Sequence, residues 1–243
     1  MRLLVLFPLL TLVLSVILSL RLFVDWFKHG RRPWFLLFWS LSLFLMYWFL
    51  VPLIFTGLGK VITVTDFNLF FALTLPVTFL ALIFVYIGVL EITGAVLKKN
   101  TKIILFFYFL LSLLFFAYQF ILNDGIIKTY ALPLIGNLAF YLPLRILIVS
   151  AVIGWLVKPG PKTLNGYLGA FGIIGDGVLG GIRNILIVKN VLAYPPEFWY
   201  VVLSGMHSFF YLQIFSIVLI AFGFFFFHRM YYREWGISLE TTL

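Results

Sequence analysis

The chain has 243 residues, of which 64% are hydrophobic, 20% aromatic and only 10% charged, with a mean hydropathy of +1.16. Soluble domains carry roughly a quarter charged residues, so this composition argues against a soluble fold and for a bilayer. The formal net charge of +9 does not point to nucleic acid, because Lys and Arg fall in short connections between apolar runs, where they set membrane orientation.

The apolar runs approach the ~20 residues that cross ~30 Å of hydrocarbon as helix, and they lack the alternation of barrel strands. With no Cys, disulfides and thiolate metal sites are excluded. The expected fold is an all-α integral membrane bundle of about seven transmembrane helices. Residues 1–228 form one polytopic domain in this reading, and 229–243 form a short cytoplasmic tail.

The first predicted helix covers 3–24 and is read as a retained span, since no small-residue cleavage site ends it and Arg21, Lys28, Arg31 and Arg32 follow. A basic loop over 25–33 leads to a second helix at 34–56, carrying Trp34, Trp39, Tyr47 and Trp48. Asp66 reads as the N-cap of a third helix over 67–91, and Pro76 within it predicts a kink, with Thr74 and Thr78 placed to serve the freed backbone groups. The fourth helix is expected at 103–122 and the fifth at 131–157, the latter including Pro133, Pro143 and Arg145. Lys158-Pro-Gly-Pro-Lys162 breaks the chain before a glycine-rich sixth helix at 165–188. Pro195 and Pro196 precede the seventh, at 198–227.

Odd-numbered loops and the C-terminal tail hold about 11 Lys and Arg, against about 4 for the N-terminus and the even loops. The N-terminus is therefore expected outside and the C-terminus in the cytoplasm. The localisation that follows is a cell membrane, of the prokaryotic cytoplasmic kind, with the lipid bilayer as first partner.

Three full charges fall at hydrocarbon depth: Arg145, Asp176 and Arg183. Arg145 and Asp176 lie ~16–18 Å from the same ends of consecutive antiparallel helices, so they are expected to pair. Asn137, Tyr141 and Arg145 share a stripe at spacing four, and Gly169, Gly172, Asp176, Gly180 and Arg183 share a face of the sixth helix. Tyr200, Ser204, His207 and Tyr211 form a face of the seventh, which Tyr118 and Gln119 of the fourth are placed to join. The ligand-binding set predicted from these patterns is Arg145, Asp176, Arg183, His207, Tyr211, Tyr141, Asn137 and Gln119. It describes a polar pocket open to the outside and closed beneath, with one excess positive charge suited to a small anionic or carboxylate-bearing ligand.

No catalytic motif is present: Ser204 lacks an oriented base and an oxyanion hole, and His207 is alone. No cofactor or metal is implied, and helix 7 has no Lys for a retinal Schiff base. The layout resembles the seven-helix sensory modules of prokaryotic membrane signalling proteins, with short loops and an outside N-terminus. That resemblance implies ligand sensing, relayed through a membrane or cytoplasmic signalling partner. The competing readings are a small-solute transporter and a structural or assembly subunit of a membrane complex. A transporter is expected to show polar lining on its inner side as well.

Overall fold

A computed structural model describes residues 2–30, 33–57, 64–94, 99–122, 134–193 and 207–234. Seven helices and no strand lie among these residues. We number them α1 (Arg2–Lys28), α2 (Trp34–Gly57), α3 (Val64–Ile92), α4 (Lys99–Leu122), α5 (Gly136–Val157), α6 (Leu164–Ala193) and α7 (His207–Glu234). Five of them, α1, α4, α5, α6 and α7, are long and apolar enough to cross a membrane, and the described apolar portions of α2 and α3 run Trp34–Met46 and Pro76–Ile92.

Several boundaries differ from the sequence expectation. Asp66 does not cap α3, which begins two residues earlier at Val64 and places Asp66 in its first turn. Residues 25–28 continue α1 rather than opening a loop, and the helix stops before Gly30, whose φ of +67° suits glycine. At the far end of the chain α7 extends through His228 to Glu234. Its predicted first residues, with Tyr200 and Ser204, lie outside the described residues. The helix α3 is continuous through Pro76, while the side chain of Thr74 is outside the described set.

The ends carrying Lys28, Glu91, Trp155 and His228 converge. His228 Nε2 lies 2.8 Å from Asp25 Oδ2, and the Trp34 N–H donates to Glu91 Oε1 at 3.0 Å. That second contact satisfies one of the free amides at the start of α2. Gly166 of α6 packs against Trp155 and Met230 at the same end.

In the middle, α1 packs on α2 through a reciprocal pair of buried hydrogen bonds, Ser19 Oγ to Ser40 O and Ser40 Oγ to Ser19 O, both 2.9 Å. Trp39 of α2 is fully buried and stacks on Phe224 of α7, ring centroids 4.3 Å apart and planes 5° from parallel. Gly88 of α3 admits its indole, since a Cβ there would fall on the ring. The helices α6 and α7 approach more closely: a Cβ on Gly172 would come within 2.6 Å of the Gly223 Cα and the Leu219 carbonyl oxygen. Small residues allow such backbone contact in apolar surroundings. The peripheral helix is α4, which packs on α3, touches the start of α5 through Tyr108, Phe115 and Phe116, and exposes Phe107, Leu111, Leu114, Tyr118 and Ile121 along one stripe.

Candidate functional site

The site begins with a break in α5. Pro143 has no N–H to give the carbonyl of Ala139, four residues back. The chain answers with a π turn over Gly136–Tyr141, in which the Leu142 N–H bonds to the Asn137 oxygen, and Tyr108 of α4 donates its hydroxyl to the Ala139 oxygen. Asn137 and Tyr141 within this turn and Arg145 just past it are all buried. The Tyr141 hydroxyl lies 2.7 Å from Thr78 Oγ1, tying the turn to α3.

Arg145 and Asp176 then meet. Each lies twelve residues, ~18 Å, from the end of its helix at the short 158–163 connection, so hairpin geometry sets them level. Arg145 Nη1 donates to Asp176 Oδ2 at 3.0 Å and to the Asp176 carbonyl oxygen at 2.9 Å. Both side chains are buried, 6% and 3% exposed. The other carboxylate oxygen accepts from Ser216 Oγ of α7. One carboxylate thus joins α5, α6 and α7.

Glycines make this approach possible. A Cβ on Gly180 would fall on the Arg145 guanidinium, and one on Gly177 would fall on Val149. The glycine face of α6 therefore divides by partner: Gly169 and Gly172 receive α7, while Gly177 and Gly180 receive α5.

The donors at this point outnumber the described acceptors. Arg145 Nε and Asn184 Nδ2 are buried and have no hydrogen-bond partner among the described residues. Asn184 lies one turn beyond Gly180 on the same face, only 2% exposed. The guanidinium of Arg183 is within electrostatic reach of Arg145 and Tyr141. Among the described side chains, Asp176 is the only acidic group in this cluster. Toward the charged end the surroundings turn apolar, with Ile148, Val152, Ile173, Ile217, Ile220 and Phe224 all buried.

Of the predicted set, Arg145, Asp176, Arg183, Tyr141 and Asn137 occupy this region. Tyr211 is partly buried on α7, five residues (~7.5 Å) before Ser216. The side chain of His207 lies outside the described residues. Gln119 is partly buried on α4, and no described contact brings it to Arg145, while its neighbour Tyr118 is 58% exposed.

Sequence reading passed over Ser216, Asn184 and the buried Gln213. A signal for Ser216 was available: it stands at the level of Asp176 on a helix adjoining α6. Two cavities bordered by described residues lie elsewhere, one between α2, α3 and α4 and one between α1 and α7. No protein-family model matches the chain, and no curated protein and no solved structure matches it either.

Proposed function

We propose that the chain is a seven-span protein of a cell membrane, N-terminus outside, which binds a small anionic or carboxylate-bearing ligand beside Arg145 and relays its presence to a partner. The observation that carries this reading is the pair of buried donors, Arg145 Nε and Asn184 Nδ2, that have no described acceptor on the Gly180 face. A buried donor left unpaired costs about 1–3 kcal/mol, and an anion accepting from both would remove that penalty. The positive potential of two neighbouring guanidinium groups beside one carboxylate favours the same charge.

The apolar core between this site and the charged end supports a closed pocket over a transport path, since a path needs polar lining on both sides. Thermal unfolding of the purified protein with acetate, benzoate, chloride and phosphate tests the reading. A bound anion at about a hundred times its Kd raises stability by about 2.7 kcal/mol. That gain is expected for the wild type and not for Arg145→Gln or Asn184→Leu. Equal response of all three proteins to every anion, or no response in any, would overturn it.

A further inference from the structure

A second site lies between α2, α3 and α4 at the charged end. Its cavity of about 840 Å³ falls within the roughly 300–1,000 Å³ typical of small-molecule sites. On α3 the wall is one helical stripe, from Leu80 through Ile83 and Ile87 to Glu91, and Phe38 and Phe109 face it from α2 and α4. From Leu80 to Gly94 the lining runs ~21 Å, somewhat more than one leaflet of a ~30 Å hydrocarbon core. Because α4 packs closely on α3 alone among the described helices and reaches the start of α5 through side chains such as Tyr108 and Phe115, the crevice between it and α2 is open at the side.

Among the described residues two charged side chains line it, Glu91 and Lys102, and they are not equivalent. Glu91 accepts the Trp34 N–H at 3.0 Å and so is engaged by the start of α2. Lys102 is exposed and has no acidic partner among the described residues; Lys99 stands one turn before it on α4. The walls suit a hydrocarbon chain, and the rim suits a phosphate.

We infer that this crevice holds one acyl chain of an anionic glycerophospholipid from the surrounding bilayer, its phosphate at Lys102. Native mass spectrometry of the full chain released from detergent tests this, with phosphatidylglycerol, phosphatidylcholine and oleate added in turn. Phosphatidylglycerol is retained roughly 25-fold more strongly than phosphatidylcholine, as two lysines near an anionic headgroup imply. Lys102→Gln lowers that preference about fivefold, the effect of one lysine. Ile87→Trp, which fills the crevice, abolishes retention, while Ile104→Trp on the exposed face of α4 leaves it unchanged. Equal retention of the two phospholipids, or retention undiminished in both Lys102→Gln and Ile87→Trp, contradicts the inference. Binding of oleate without phosphatidylglycerol would assign the crevice to a free fatty acid instead. A dimer that Ile87→Trp disperses would assign it to a second copy of the chain, and either result overturns the phospholipid assignment.

Discussion

Gly180 and Gly181 are adjacent, yet their surroundings differ enough to give opposite expectations. At Gly180 a Cβ would occupy the place of the Arg145 guanidinium, whereas at Gly181 the nearest atom is Leu142 Cδ1 at an ordinary 3.7 Å. Alanine within a helix is favoured over glycine by about 1 kcal/mol, so Gly181→Ala is expected to be neutral or slightly stabilising. Gly180→Ala is expected to destabilise by about 1–3 kcal/mol, because overpacking displaces a buried side chain. Thermal or denaturant unfolding of the two variants checks the contrast. Arg145→Gln and Asp176→Asn should each cost about 3 kcal/mol, since breaking a buried pair strands the remaining charge. A double-mutant cycle should return a coupling above about 1 kcal/mol; additivity within about 0.5 kcal/mol would mean that the 3.0 Å contact carries no energy. The pair was legible in the sequence because intramembrane charge is costly and depth can be counted from a loop. Ser216 stands at the same depth, but a lone serine in an apolar run reads as packing until its helix is placed beside α6, and Asn184 was masked by its neighbour Arg183.

Among the elements, α5 shows how a backbone defect is absorbed. Tyr108, reaching from α4, is the described donor to the carbonyl that Pro143 leaves open. Tyr108→Phe keeps the ring contacts with Phe79 and Phe140 but removes the hydroxyl. The expected loss is about 0.5–1.5 kcal/mol in unfolding free energy, the net worth of one hydrogen bond at an exposed carbonyl. Sequence rules anticipate a disturbance at an internal proline, but they do not choose between a kink and a π turn. The choice depends on a donor arriving from another helix. A similar limit applies to α6, where seven glycines lower helix propensity over the predicted span 165–188. The structure makes it a continuous 30-residue helix. Its glycines serve as contact points for α7 and α5, a tertiary gain that single-helix propensity does not contain.

Across the whole molecule, the ends of α1, α3, α5 and α7 that carry Lys28, Glu91, Trp155 and His228 gather together. The chain has no native cysteine, so single cysteines at Gly30 and Asp124 can be labelled without background. They should react from opposite faces of intact cells, with position 124 outside. Reaction of both from one face would remove the seven-span arrangement and, with it, the outward-facing site. The account depends most on Arg145 presenting a spare donor to an anion. Nitrogen-15 labelling of the arginine side chains, with the Arg145 Nε–H resonance assigned by its loss in Arg145→Gln, reads that donor directly. Titration with whichever anion stabilises the protein should shift this resonance saturably, with the same Kd as the thermal response. A resonance that stays fixed while the anion stabilises the protein would contradict the account.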